Sequence, residues 1–315
     1  MVSFKFSNRF SSPTARAMYR YSQVAILYVA LIFILPANHQ VMHDHNLSSL
    51  EYKILLFTVV LPVLAIWFVG FFGYAKLQEY AKSIQKTADA DGFSRLALGC
   101  AWLAWSLPIR SLVNICTGAI ANSSPGFHSA SVVINNYTGL ALSLVAFIMI
   151  GSASRHLFER AKISLTSTSM RTMMFLFVVG GVLYCYLIFR QFHSGGLVSS
   201  DNPFHLPIWL MVLTIIVPYL YAWFVGILAI YEMTIYSRQV RGVLYRQALQ
   251  LMVAGLIATV IGSIAFQYAS SVRAPDNQLI LNTHLFLDLL FRIITGIGFI
   301  LIALGASRLK KIEEV

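Results

Sequence analysis

The sequence predicts an all-α integral membrane protein with eight transmembrane helices. These form two tandem four-helix repeats in the same orientation, with the N- and C-termini cytoplasmic. Four observations predict this fold class. The 315 residues are 58% hydrophobic and only 11% charged, whereas soluble domains are about a quarter charged. Several apolar runs exceed the ~18–20 residues that cross about 30 Å of hydrocarbon as a helix. Most basic residues fall in alternate segments between the runs, and two of the runs are similar and share the motif WFVG.

Hydropathy places eight spans along the chain. The spans must be helical because lipid cannot satisfy free backbone groups. They are predicted at residues 20–37, 54–76, 96–117, 133–153, 171–191, 207–233, 247–269 and 283–305. The first span has a second interpretation as a cleaved signal peptide, although the sequence LPANHQ after it offers no clear A-x-A site.

The basic residues predict the orientation of the chain. Eighteen of the 23 Lys and Arg residues fall in the alternate segments 5–20, 76–95, 155–171, 238–246 and 308–311. An excess of Lys and Arg marks cytoplasmic loops, so both termini are predicted to be cytoplasmic. The predicted divisions are a cytoplasmic segment 1–19, a first four-helix repeat 20–160, a second four-helix repeat 161–308 and a cytoplasmic tail 309–315.

The net charge of +11 does not predict a nucleic-acid partner, because the basic residues are divided among loops and form no single stripe. The predicted partners are the lipid bilayer and either a second copy of the chain or another membrane protein. The general character is that of multi-pass proteins of bacterial inner membranes. This predicts the plasma membrane as the location but no activity.

An internal duplication relates the second and sixth spans. FTVVLPVLAIWFVG at 57–70 aligns with LTIIVPYLYAWFVG at 213–226. Further matches are Tyr80 with Tyr236, Arg95 with Arg246, and Ala153-Ser-Arg with Ala306-Ser-Arg. Four helices per repeat is an even number, so a pseudo-two-fold axis along the membrane normal is expected. The prolines are expected to kink their helices and the glycines to allow close packing. The shared landmarks are Pro62, Trp67, Gly70, Pro218, Trp223 and Gly226.

Three charged residues lie well inside predicted spans: Arg110, Asp288 and Arg292. A charge in hydrocarbon costs at least ~2.5–3.5 kcal/mol, so a ligand or ion site is the default hypothesis. Asp288 and Arg292 share one helix face. Two arginines against one aspartate leave a positive charge that suits an anion or a lipid headgroup. The alternatives are an ion pair between the third and eighth helices, and arginines that reach the outer interface. The polar residues at similar depth are Asn114, Asn135 and Gln267.

The stretch HQVMHDHN contains His39, His43 and His45 just after the first span. His39 and His43 would share a face in a helix, and His43 and His45 in an extended segment. Either pair could bind zinc or copper. A pH sensor and a solvated loop are the alternatives. Haem is not expected because no histidine pair is buried within two helices, and retinal is not expected because no lysine falls mid-span.

Three classes of function are compatible with these features. The first is a ligand-binding, sensing or scaffolding membrane subunit. The second is a small-molecule or ion transporter or channel with its site at the repeat interface. The third is an intramembrane enzyme that acts on a lipid-like substrate. No HExxH, GxSxG or P-loop motif occurs, so no catalytic residue is predicted.

Overall fold

The structure is a computed structural model that describes residues 12–34, 49–123, 127–160, 171–175, 177–182, 186, 208–240, 242–271 and 278–313. Within these ranges the regular elements are all helical and no strand occurs. Six of the helices described there are long and apolar enough to cross a membrane. The prediction of an all-α, multi-pass membrane protein is confirmed at this level.

Eight helices of more than ten residues lie in the described ranges, and we number them in chain order. They are α1 (Pro13–Ile34), α2 (Ser49–Ser83), α3 (Ala90–Ser123), α4 (Phe127–Arg160), α5 (Arg171–Val182), α6 (Val217–Gln239), α7 (Val243–Ser271) and α8 (Gln278–Glu313). A short helix (Ile208–Met211) and a π-helical turn (Val212–Ile216) lead into α6.

Six predicted spans coincide with the long apolar helices α2, α3, α4, α6, α7 and α8. Helices α1 and α5 occupy the places of the first and fifth predicted spans but are not among the six. Helix α1 carries Arg16 and Arg20 in its first half, and α5 is only a short apolar helix over the described residues. Whether these two helices also cross the membrane therefore stays a prediction.

The helices are longer than hydropathy predicts. Helix α2 has 35 residues, which is about 52 Å at 1.5 Å per residue, against about 30 Å of hydrocarbon. Its predicted span ended at residue 76, but the helix continues to Ser83 through polar residues such as Gln78 and Lys82. These residues favour helices as strongly as apolar ones do, so the helix extends beyond the bilayer core.

The packing forms a closed cycle of six helices. Going round the cycle, α2 packs against α3, α3 against α4, α4 against α6, α6 against α7, α7 against α8, and α8 against α2. Helix α1 packs against α2, and Gly180 of α5 lies against Trp223 of α6. As a result, α2 and α6 each contact a helix from the other half of the chain.

Helix α8 shows how these helices are apolar on both sides. Its outer face exposes large side chains spaced three or four residues apart, at Leu289, Ile293, Ile297, Ile300 and Leu304. Its inner face buries Phe299, Ile302 and Ala306 in the core. A helix that is apolar all round needs an apolar environment on its outer face as well, which a bilayer supplies.

Two glycines show how closely neighbouring helices approach. A Cβ on Gly99 of α3 would lie 3.1 Å from the Ala146 carbonyl oxygen of α4. A Cβ on Gly255 of α7 would lie 2.6 Å from the Gly298 carbonyl oxygen of α8. Small residues of this kind let membrane helices pack backbone against backbone. The two hairpins α3–α4 and α7–α8 are therefore the tightly packed units of the bundle.

The two matched prolines differ in their surroundings. Helix α2 runs unbroken through Pro62. Pro218 instead lies in the first turn of α6, directly after the π-helical turn Val212–Ile216. A π-helical turn accommodates the backbone bond that a proline removes. The backbone is therefore π-helical just before Pro218, whereas it stays α-helical through Pro62.

Candidate functional site

A small polar cavity lies where α3, α4, α7 and α8 meet. Its free volume of about 10 Å³ is close to the space needed by one water molecule. The residues around it are Leu103, Ser106, Leu107 and Arg110 of α3, Gly139 and Ser143 of α4, Ser263 of α7, and Arg292 and Thr295 of α8. We call this set the arginine cavity. Two of the three charged residues that the sequence places inside spans therefore line one space.

Arg110 is the more deeply buried of the two arginines, with 4% of its surface exposed. Its guanidinium lies next to Gly139 of α4. A Cβ at Gly139 would be 3.2 Å from both Cζ and Nη1 of Arg110. Any larger residue at position 139 would therefore displace the charged group.

Arg292 lies on α8 and is partly buried at the same cavity. Two phenol rings from other helices lie within electrostatic reach of the arginines. Tyr219 of α6 interacts with the charge of Arg110, and Tyr28 of α1 with that of Arg292. Both tyrosines are buried. The surroundings of the two positive charges are therefore supplied by both halves of the chain.

Hydroxyl groups line the remaining wall of the cavity. Ser106 Oγ donates to the Leu103 carbonyl at 2.6 Å, and Thr295 Oγ1 donates to the Phe291 carbonyl at 2.9 Å. These bonds use the hydroxyl protons on the helices themselves, as is common for Ser and Thr in apolar helices. Their oxygens keep lone pairs that can accept from a guanidinium. A rotated hydroxyl could instead donate to an anion.

The other predicted site residues lie outside what the structure describes, in whole or in part. The backbone of Asp288 belongs to α8, one turn before Arg292, but its side chain lies outside the described part. The side chains of Asn114, Asn135 and Gln267 also lie outside it. So do His39, His43 and His45, the predicted metal ligands. Among the described residues, no three His, Cys, Asp or Glu side chains are grouped to hold a metal ion.

The repeat landmarks lie in the core and around it. Trp67 is fully buried, while Trp223 is partly exposed. A Cβ at Gly70 would lie 2.6 Å from Ala104 Cβ, and one at Gly226 would lie 2.8 Å from Val260 Cγ1. Both glycines therefore sit at close contacts between neighbouring helices, α2 with α3 and α6 with α7.

A second polar region lies at one end of the bundle, away from the arginine cavity. We call it the basic end: α2, α4, α6 and α8 finish there, and α3 and α7 begin there. Glu232 of α6 is 1% exposed and accepts hydrogen bonds from Ser154 at 3.1 Å and from Arg155 at 3.2 Å. Glu232 does not stand out in the sequence, because an acid close to the end of a predicted span resembles an interface residue.

A second carboxylate joins three helices at the basic end. Glu79 of α2 accepts from Thr14 of α1 at 2.7 Å and from Lys310 of α8 at 2.7 Å. Lys76, one turn earlier on α2, donates to the same carboxylate at 3.1 Å. Charge-assisted bonds of this kind are stronger than neutral ones. Glu79 therefore connects α1 and α8 to α2.

Two tyrosines connect the halves at the same end. Tyr80 of α2 shares a hydrogen bond of 2.6 Å with Tyr245 of α7. Tyr236 of α6 donates to Asp89, the residue before α3, at 3.2 Å. Both bonds join a residue before position 160 to one after it.

Comparison with known proteins finds no matching family model, no matching curated protein and no matching solved structure. The interpretation of the arginine cavity therefore rests on its own geometry.

Proposed function

We propose that the chain is built from two four-helix halves related by a pseudo-two-fold axis along the membrane normal. Equivalent contacts support this arrangement. Tyr80 and Tyr236 are 156 positions apart, and so are their partners Asp89 and Tyr245, and so are Gly99 and Gly255. The same offset separates Gly70 from Gly226. An alignment with this offset matches α3 with α7 so that Gly99 corresponds to Gly255. In this alignment Arg95 no longer corresponds to Arg246.

The reciprocal packing of α2 and α6 supports the same proposal. Helix α2 packs against α8, and α6 packs against α4. The second helix of each half thus packs against the fourth helix of the other half. On this axis the arginine cavity lies between the halves, because Arg110 belongs to one and Arg292 to the other.

We infer that the protein is a membrane subunit that binds a small anion in the arginine cavity. The observation that carries this inference is that two guanidinium groups, from different halves of the chain, line a single space of about 10 Å³. Two like charges at such a place repel in a low dielectric. An anion between the two guanidinium groups would reduce this repulsion.

The size of the cavity limits the ligand. A space for about one water molecule fits a monatomic anion such as chloride better than a carboxylate or a phosphate. Arginine can hold an anion as a permanent cation, because its guanidinium does not lose its proton in proteins. Chloride is therefore the ligand that we propose for the conformation described here.

Transport of that anion is the second candidate function. Two features favour transport. The cavity lies between the two halves, and the hydrogen bonds of Tyr80 and Tyr236 join those halves at the basic end. In alternating access, a site at the repeat interface opens to one side while contacts close the other. The bonds of Tyr80 and Tyr236 would be the contacts that close the basic end.

The binding proposal is tested by thermal unfolding of the detergent-purified protein in gluconate buffer, with chloride added at constant ionic strength. A ligand at 100 times its Kd stabilises by about 2.7 kcal/mol, so the midpoint should rise with chloride. Arg110→Gln should remove the chloride-dependent rise. Arg246→Gln, which changes an exposed arginine at the basic end, should keep it.

Each outcome of this experiment decides between anion binding and a structural ion pair. If chloride and gluconate give the same midpoint for the wild type, the anion site is rejected. If Arg110→Gln lowers the midpoint equally in both salts and chloride still adds its increment, Arg110 is a structural residue. If chloride binds, flux into proteoliposomes then separates a carrier from a binding subunit.

We further propose the plasma membrane, of the bacterial inner-membrane type, with the basic end in the cytoplasm. The support is that basic residues from distant parts of the chain, such as Arg155, Arg246 and Lys310, lie at one end of the bundle. An Arg246→Cys variant should resist a membrane-impermeant maleimide in intact cells and react after lysis. Labelling in intact cells would place this end outside.

A further inference from the structure

A second cavity, separate from the arginine cavity, lies between α5, α6 and α7. Its volume is about 620 Å³. We call it the α5–α7 groove. Most of its wall is apolar, with Met173 and Val179 on α5, Ile227 and Ile230 on α6, and Val260 on α7. Exposed apolar side chains at its rim, such as Ile257 and Ile261, open it toward the surrounding bilayer.

The groove runs along α6 and has two different ends. Trp223 lies at one end, where a Cβ on Gly180 would be 2.6 Å from its ring. The exposed guanidinium of Arg238 lies at the other end, within the basic end of the bundle. Fifteen residues of helix separate them, or about 22 Å. Half of the hydrocarbon core is about 15 Å thick, so the groove is long enough for one leaflet.

A polar group inside the groove also points to a ligand. The hydroxyl of Tyr231 is buried and has no hydrogen-bond partner among the described residues. Tyr231 lines the groove about 10 Å from Arg238 along the helix. A buried hydroxyl in native proteins is almost always bonded. An ester carbonyl from a molecule in the groove would supply the missing acceptor.

We propose that the α5–α7 groove binds one anionic phospholipid from the leaflet at the basic end. The lipid phosphate contacts Arg238, and an ester carbonyl accepts from Tyr231. One acyl chain runs past Ile230 and Ile227 toward Trp223. The charge of Arg238 selects a phosphate with net negative charge, since basic residues at the membrane surface attract anionic lipids.

The test uses native mass spectrometry of the full chain in mild detergent, titrated with phosphatidylglycerol or with phosphatidylcholine of the same acyl chains. The wild type should retain one phosphatidylglycerol and bind it more tightly than phosphatidylcholine. Arg238→Gln should weaken phosphatidylglycerol binding about fivefold. Arg246→Gln is the matched control, because it removes an exposed arginine of the same end that does not line the groove, and it should bind as the wild type does.

Two further variants test the position of the lipid within the groove. Ile230→Trp should fill the groove and abolish retention, while Tyr231→Phe should weaken it for both lipids. Unchanged elution and unfolding midpoints show that these variants fold. Equal binding of the two lipids, or equal loss in Arg238→Gln and Arg246→Gln, would overturn the proposal. So would full retention by a folded Ile230→Trp protein.

Discussion

Tyr80 and Tyr236 each bind a residue from the opposite half of the chain, Tyr80 through Tyr245 and Tyr236 through Asp89. The two tyrosines stand 156 positions apart, as do the two partners. Tyr80 and Tyr236 are buried, and both bonds lie at the basic end. They are the polar contacts that hold α2 to α7 and α6 to the start of α3.

Removing either tyrosine hydroxyl should destabilise the protein by a similar amount. Tyr80→Phe and Tyr236→Phe each delete one hydrogen bond and leave its partner in a partly buried position. A lost neutral bond costs about 1 kcal/mol. The bond from Tyr236 goes to a charged group, but Asp89 is only partly buried, so water compensates for part of the loss and the two costs should be similar. Equilibrium unfolding in mixed micelles measures the change. Tyr221→Phe, which alters a half-exposed tyrosine on α6, should leave the stability unchanged. A Tyr221→Phe protein as unstable as the other two would contradict the prediction.

The carboxylate of Glu232 should contribute more to the free energy of unfolding than that of Glu159, although Arg155 contacts both. The side chain of Glu232 is 2% exposed and that of Glu159 is 61% exposed, while the side chain of Arg155 is half-exposed. Breaking a buried pair costs about 3–5 kcal/mol, and the solvent around Arg155 reduces this to about 2 kcal/mol for Glu232→Gln. Glu159→Gln should cost less than about 0.5 kcal/mol. Equilibrium unfolding in mixed micelles measures both changes. Equal losses of unfolding free energy in the two variants would contradict the prediction that the buried carboxylate contributes more.

Gly139→Ala should impair anion binding without unfolding the protein. The new methyl group would lie 3.2 Å from the Arg110 guanidinium, which must then shift within the arginine cavity. We expect the chloride-dependent rise in the unfolding midpoint to fall several-fold. The control is Gly296→Ala on α8, where the nearest atom to the added Cβ is Ile66 Cγ1 at 3.6 Å. An unchanged chloride response in Gly139→Ala would place the anion elsewhere.

Gly255→Ala should destabilise the α7–α8 hairpin. The added Cβ would lie 2.6 Å from the Gly298 carbonyl oxygen, and backbone cannot move aside as a side chain can. Overpacking of this kind costs about 1–3 kcal/mol. Gly99→Ala should have a comparable effect on α3 and α4, while Gly296→Ala again serves as the control. Wild-type stability in Gly255→Ala, measured by unfolding in micelles, would mean that the hairpin is packed less tightly than described.

The sequence predicts the helices and their apolar faces because composition alone determines whether a segment can remain in lipid. It predicts Arg110 and Arg292 as site residues for the same reason, since a charge within an apolar run stands out. It does not show that the two arginines meet, because they lie 182 positions apart (110 and 292) and their proximity depends on how the hairpins pack. The match of residues 57–70 with 213–226 was the available signal for that packing.

Other features were beyond the reach of hydropathy. Helix α2 extends to Ser83 because polar residues continue the helix in water. Glu79 and Glu232 lie in or next to such extensions, so they look like ordinary interface residues until their partners are known. The α5–α7 groove depends on the gap between three helices, and a gap has no sequence pattern. Interhelical spacing is a property of packing and not of any single segment.

The bond between Glu79 and Lys310 also has a consequence for the order in which the protein is made. The two residues are 231 positions apart, so at ~5–20 residues per second synthesis of the second follows the first by about 10–50 s. During that interval α2 lacks α8, one of its two neighbours in the cycle. Until α8 is made, the Glu79 carboxylate lacks Lys310 at the end of α2, and an apolar face of α2 in the membrane lacks its neighbour. We therefore expect a chain truncated before α8 to be degraded by membrane proteases faster than the full chain.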